Sequence, residues 1–240
     1  MLANVLQVLV FAGASLVSDS EHATALVAHW PMEGVEDGVL ADASAQGHAG
    51  TFAGNEPPGV VRGIAGNALE LDANAEVYFT ISNSDAFHLP DGLTAMAWIK
   101  PARRSGTYEI LCVKGDKSGD PPWPGWRFRY FWSRMSFEFG TTDNRQVRVS
   151  SAEWTVRAGF WSHVAVAYDG TTVRVYVNAV LVTEEPVEGT IARRKGPLIL
   201  ANYVGRKNAY AFDGTLDEVK VFSGCLTQNE IFAEATSKSR

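Results

Sequence analysis

The residues best suited to chemistry in this 240-residue chain are aromatic. Between Asp116 and Arg134 the segment DKSGDPPWPGWRFRYFWSR carries Trp123, Trp126, Tyr130, Phe131 and Trp132, a density of rings far above that of the remaining sequence. Such rings pair a broad apolar face with polar tips, which is what a sugar ring stacks on. Trp123 lies between two prolines in a loop, a setting that argues against full burial. Trp126 and Phe128 instead open a strand and belong to a core. Trp123 and Trp132 are therefore the candidates for a stacking platform, and Arg129, Arg127, Tyr203 and Tyr210 are able to line the same rim. Against this stands plain packing, since aromatic rings mostly bury and also close loops.

Carboxylates are the second group. Along TLDEVKVF, alternation with period two sets Asp217 beside Val219 and Val221 and turns Glu218 and Lys220 the other way. Asp217 is thus expected to face the core. A carboxylate buried bare costs about several kcal/mol, so it needs a cation or several hydrogen-bond donors. Calcium is one solution; backbone amides of a turn are the other. The run Glu70-Leu-Asp72-Ala-Asn-Ala-Glu76 also pairs carboxylates, but Glu76 falls four residues beyond Asp72, past an Asn-Ala turn. Retaining glycoside hydrolysis needs two carboxyls about 5 Å apart, which this spacing does not supply, so no enzymatic activity is expected. His163 sits mid-strand with no serine or cysteine elbow to serve, and reads as structural. His29 and His48 are singletons, and no histidine or cysteine pair has zinc spacing.

The elements that must hold these residues are strands. From Ala25 onward, short apolar or alternating runs are separated by Gly, Pro, Asp and Asn clusters, the pattern of an all-β sandwich. LTAMAWIKP puts Leu93, Ala95, Ala97 and Ile99 on one face; SHVAVAYDG and TVRVYVN do the same with Val164 and Val166, then Val173, Val175 and Val177. Asp169-Gly170 marks a hairpin between the last two. Asn178-Ala179 marks another, with alanine at a position that usually favours glycine. After the last strand, Thr227-Gln-Asn-Glu230 forms a capping box ahead of Ile231, Phe232 and Ala233, which predicts one short C-terminal helix.

Composition agrees with a turn-rich globular protein: 46% hydrophobic, 20% charged, 22 glycines and 10 prolines. The formal charge is −6 and the first basic residue is Arg62, leaving no basic field for a polyanion, so nucleic acid is excluded as a partner. Cys112 and Cys225 provide either one bridge in an oxidising compartment or two strand-buried thiols. The apolar run from Val5 to Val17 is too short to span a bilayer but suits a signal-peptide core, with Ala12 and Ala14 as a cleavage site, although no positive n-region precedes it. The expected organisation is a signal or disordered segment over 1–23, one β-sandwich over 24–236 and a polar tail over 237–240. The corresponding location is extracellular or periplasmic.

Taken in order, the segments LVAHWPMEG, DASAQGHAGTF, GIAGNALELD, LTAMAWIKP, ILCVKGD, GFWSHVAVAYDGTTVRVYVN, FDGTLDEVKVF and CLTQNEI resemble the laminin G-like jelly-roll family, a branch of the concanavalin A-like lectin and glucanase fold, over Ala25 to Ala235. Ala179 and Ala73 depart from glycines common in that pattern. The resemblance implies two antiparallel sheets packed face to face, with the first and last strands as neighbours and a ligand surface on one sheet or its loop rim. It also implies a binding module, favouring a glycan or polysaccharide, with a cell-surface or matrix protein as the alternative partner. In the family layout Glu33 and Asp42 are the carboxylates nearest Asp217, so a structural calcium would use Asp217 with Glu33 or Asp42. Fold by itself does not fix function.

Overall fold

A computed structural model describes residues 24–104, 106–115, 125–203 and 210–237. The N-terminal apolar run, Trp123 and the last three residues of the tail lie outside the described residues. The strands are β1 (Ala25–Trp30), β2 (Val39–Leu40), β3 (Gly50–Ala53), β4 (Gly59–Arg62), β5 (Asn67–Leu71), β6 (Tyr78–Ile81), β7 (Leu93–Pro101) and β8 (Glu109–Lys114). They continue as β9 (Trp126–Phe131), β10 (Arg134–Gly140), β11 (Gln146–Ser150), β12 (Ser162–Tyr168), β13 (Thr172–Val177), β14 (Val180–Pro186), β15 (Leu198–Leu200) and β16 (Gly214–Ser223), followed by the helix α1 (Gln228–Thr236).

Two antiparallel sheets result. The first runs β14-β13-β12-β7-β16-β5-β4, and β1 pairs with β16 beyond the reach of β5, so first and last strands are neighbours as expected. The second runs β11-β10-β9-β8-β15-β6-β3-β2. Alternation drives the packing between them. Leu93, Ala95, Ala97, Ile99, Val164, Val166, Val173, Val175 and Val177 of the first sheet face Trp126, Phe128, Phe137 and Phe139 of the second in one continuous core. Strands β7 and β12 are also covered on their outer face: Met96, Ala165, Ala167, Tyr176 and Phe222 pack with Leu226 and Ile231 of the C-terminal segment. Thr227 and Glu230 form the reciprocal capping box that starts α1, and burying Ile231 contributes about 1.5–3 kcal/mol to holding it there. Both cysteines are free thiols, Cys112 within the core and Cys225 beyond the end of β16, so the bridge alternative is not realised.

One facing differs from expectation. Asp217 does not share a side with Val219 and Val221, because a bulge interrupts the strand: Glu218 adopts φ 49 and the β16–β7 ladder shifts register between Asp217 and Lys220. Leu216, Val219 and Val221 all reach the core, and Asp217 points to the opposite, outer face beside Trp98.

Candidate functional site

Strand register assembles a charged site on the outer face of the second sheet. Arg148, Glu138, Arg127 and Val113 stand side by side across β11, β10, β9 and β8, and Ser150, Ser136, Arg129 and Ile110 form the adjacent row. Their sequence neighbours Trp126, Phe128, Tyr130, Phe137, Phe139 and Val149 fill the core, so the alternation that builds the core also projects this charge outward.

Glu138 is the hub. Arg127 donates from Nε to Oε2 at 2.7 Å and from Nη2 to the same oxygen, while Arg148 Nε lies 2.6 Å from Oε1 and Arg129 Nη2 pairs with Oε1. Gln146 Nε2 donates to Oε2 at 2.7 Å. Rings close over the cluster: the Arg129 guanidinium lies 3.9 Å from the centre of Tyr108, and Arg127 Nη1 donates to Tyr203 Oη at 2.6 Å. Tyr210 meets Tyr203 edge on, with centroids 5.3 Å apart. Burial, then the like charges of Arg127 and Arg148, lower the Arg129 guanidinium from its usual range, and burial pushes the Tyr203 hydroxyl up. Arg127, Arg129 and Glu138 are buried, whereas the Arg148 side chain is 45% exposed and carries the cluster to solvent.

Beyond Tyr108 an aromatic ledge continues. Tyr108 stacks on Phe131 with centroids 4.0 Å apart, and Phe131 meets Trp132 edge on at 6.0 Å. The Arg104 guanidinium then reaches two indoles, 4.4 Å from the centre of Trp132 and 4.3 Å from that of Trp154. Glu153 holds that arginine at 3.4 Å and also pairs with Arg134. Trp154 is 67% exposed and Trp132 37%. Both occupy left-handed backbone, φ 67 and φ 50, as does Ser133 in the same β9–β10 turn at φ 58. Each such non-glycine residue costs about 1–2 kcal/mol. Two large apolar rings are thus presented to water at a conformational cost, a combination that points to a surface used for recognition.

Arg129, Tyr203 and Tyr210 are brought together, a convergence the sequence could not show, and Arg129 and Tyr203 form the buried floor of the site and not an open rim. Trp132 stands apart from them, on the ledge. Trp123 lies outside the described residues. Sequence reasoning missed Trp154, Tyr108, Arg104, Glu138 and Arg148. For Glu138 and Arg148 a signal existed, since WRFRYF, MSFEFG and QVRVS all alternate charge with core residues. Trp154 sits in a loop without any periodic pattern.

The carboxylates expected to hold calcium accept hydrogen bonds from backbone amides. Asp42 accepts from the His29 amide at 3.0 Å, the Ser44 amide at 2.9 Å, the Ser44 hydroxyl at 2.8 Å and the His48 amide at 2.8 Å. Burial opposes its charge, yet these donors outweigh burial and keep it below the usual carboxylate range. Glu33 Oε2 accepts from the Asn67 amide at 2.9 Å, and Asp217 Oδ2 accepts from the amides of Ile64 at 2.7 Å and Ala65 at 3.2 Å. Both clamp one tight turn, whose Gly66 has φ 67, a left-handed conformation that favours glycine. Burial pushes Asp217 up to about 6. Asp42 has both oxygens engaged by donors, whereas Asp217 Oδ1 is buried with no hydrogen-bond partner among the described residues, and no group of three or more His, Cys, Asp or Glu placed to hold a metal occurs among those residues.

The other candidates are also placed. Asp72 caps a short turn through Asn74, and Glu76 ends that turn at φ 56, so Glu70 and Glu76 do not share a continuous strand. Glu70 and Asp72 line a cleft of about 420 Å³ with Glu56 and Asp213. His163 is buried against Trp98, and burial, then Lys220, lowers its pKa to about 4, leaving it neutral at physiological pH.

A laminin G-type family model, described as the concanavalin A-like lectin/glucanases superfamily, matches residues 73–232. The chain belongs to this superfamily. No curated protein matches the sequence. Among solved structures, the binding domain of Paraclostridial Mosquitocidal Protein 1 aligns with a TM-score of 0.69 at 15% identity, over 88% of this chain and 52% of that one. Domain 4 of AbnA, a GH43 extracellular arabinanase from Geobacillus stearothermophilus in complex with arabinotriose, aligns at 0.68 and 17% identity, over 89% of this chain and 99% of that one. The botulinum neurotoxin serotype G binding domain aligns at 0.66 and 13% identity, over 88% and 50%. This superfamily chain spans about half the length of the toxin binding domains it matches. At these identities the likeness shows the shared jelly-roll fold.

Proposed function

We propose that the protein is an exported, non-catalytic binding module that recognises carbohydrate on the outer face of its second sheet. The observation that carries this reading is the ledge of Trp132 and Trp154, two exposed indoles held in left-handed backbone and bridged by Arg104. A sugar ring covers such a face with its C–H groups while its hydroxyls reach the flanking arginine and glutamate side chains. The arabinotriose complex of the arabinanase domain supports the reading, since the same fold there carries an oligosaccharide.

The test is a glycan array probed with the intact protein and with Trp154→Gly and Trp132→Ala. Binding to a defined set of glycans that both substitutions weaken supports the reading. Capture of protein ligands alone, or release of reducing ends from a bound polysaccharide that is lost in Glu70→Gln, contradicts it.

A further inference from the structure

The chain as a whole is acidic, with a formal charge of −6. The face just described is not. Arg127, Arg129 and Arg148 share one carboxylate, Glu138, and on the adjoining ledge Arg104 and Arg134 share one more, Glu153. At the centre of the face two buried guanidinium groups, Arg127 and Arg129, share the one buried carboxylate of Glu138, and the half-exposed Arg148 joins them, while Glu185 and Glu188 line a cleft together with Arg148 and Arg145. Arg129, 2% exposed, has a buried Nε with no hydrogen-bond partner among the described residues. Burying cationic groups in excess of their counterions is unfavourable and is relieved when an anion arrives. Arginine suits that role, because its planar fork matches a carboxylate or sulfate through paired, charge-assisted hydrogen bonds.

From this we infer that the glycan taken at this face is acidic, with a carboxylate or sulfate group seated against Arg148 beside Tyr108 and neutralising the cluster, while an adjacent sugar ring lies on the ledge. The inference rests on the carbohydrate-binding reading and deepens it. Arg148 is the contact residue, since its side chain is 45% exposed and its Nη1 lies 3.3 Å from the Tyr108 hydroxyl at the mouth of the cluster. Arg127 and Arg129 act from beneath, through charge.

Three polysaccharides separate the chemistries: polygalacturonate carries only carboxylates, dextran sulfate only sulfates, and arabinan no charge. Affinities for the intact chain are measured by isothermal titration at low and raised salt, with Arg148→Gln, Arg148→Lys, Trp154→Gly and Arg193→Gln as variants. Arg193 is exposed and pairs with Asp85, away from this face, so its loss is the control for general polyelectrolyte attraction. Tighter binding of one acidic polymer than of arabinan is expected, weakened by salt. Arg148→Gln should lose roughly tenfold in that affinity, Arg148→Lys should retain part of it, and Arg193→Gln should retain nearly all. The preferred polymer identifies the anionic group. Arabinan bound as tightly as both acidic polymers and lost only in Trp154→Gly would overturn the acidic ligand while leaving carbohydrate recognition standing. Equal losses in Arg148→Gln and Arg193→Gln would also overturn it. No binding of any glycan by the folded chain would overturn both readings.

Discussion

Replacing Trp154 by glycine separates a recognition surface from a packing surface. The indole is 67% exposed, so its removal opens no cavity. Its backbone has φ 67, where glycine is at ease and a bulky residue loses about 1–2 kcal/mol. The contact with Arg104, at 4.3 Å from the ring centre, contributes about 0.5–1 kcal/mol at such an exposed position. These two effects oppose one another and leave stability within about 1 kcal/mol of wild type, or about 2–4 °C in melting temperature for a chain of this size. Binding behaves differently. A sugar covering about 60 Å² of ring face at about 25 cal/mol per Å² gains about 1.5 kcal/mol. Direct contact with the ring adds about 0.5 kcal/mol. Trp154→Gly should therefore weaken glycan affinity by about 2 kcal/mol, roughly thirtyfold, at nearly unchanged stability. Calorimetric melting and titration on the same preparation read both quantities. A fall of more than about 10 °C in melting temperature would make Trp154 a structural residue, and unchanged affinity would remove it from the site.

Three other perturbations follow from the same contacts. Glu138→Gln strips the buried arginines of their shared anion and should cost about 3–5 kcal/mol in chemical denaturation, whereas a cost under about 1 kcal/mol would mean that the cluster is already neutralised elsewhere. For Asp217 the folded pKa, raised by burial to about 6, exceeds the unfolded value of about 4, so the folded state keeps the proton longer and stability from this group falls as pH rises through that window. Asp217→Asn should remove that fall, so its melting temperature relative to wild type should climb from about pH 4 to 6 and then level off; a pH-independent difference would contradict the burial of this carboxyl. Adding calcium after chelation should leave the melting temperature unchanged, because Asp42 is filled by donors and Glu33 and Asp217 are each turned to backbone amides through one oxygen; a saturable rise would show bound calcium, with the unpartnered Asp217 Oδ1 as its first candidate ligand.

The division between what could and could not be read from the sequence has physical causes. Strands such as SHVAVAY and TVRVYV were legible because period-two alternation is imposed by the core itself, and the Thr227–Glu230 box was legible because capping is local. The Asn178-Ala179 turn was also visible, and both residues do adopt positive φ. The bulge at Glu218 left no mark in the residue types, so a single left-handed residue reversed the expected facing of Asp217. For Asp217 the sequence left a choice between a metal and backbone amides, and the amides that reach it belong to Ile64 and Ala65, so distant in the chain that no local pattern encodes the contact. For the ligand face, Arg127 and Arg129 could be read as outward residues of β9. Their convergence with Arg148 on Glu138 depends on the register of three strands, which no local pattern encodes. An acidic total charge concealed the local excess of arginine for the same reason.

The most direct measurement is chemical-shift mapping of the isotope-labelled protein titrated with the acidic oligosaccharide that binds best. The indole N–H signals of Trp132 and Trp154 and the Nε–H of Arg148 should shift together and saturate with one affinity. Shifts confined to the cleft of Glu56, Glu70, Asp72 and Asp213, with the ledge silent, would place the ligand elsewhere and contradict recognition on the outer face of the second sheet.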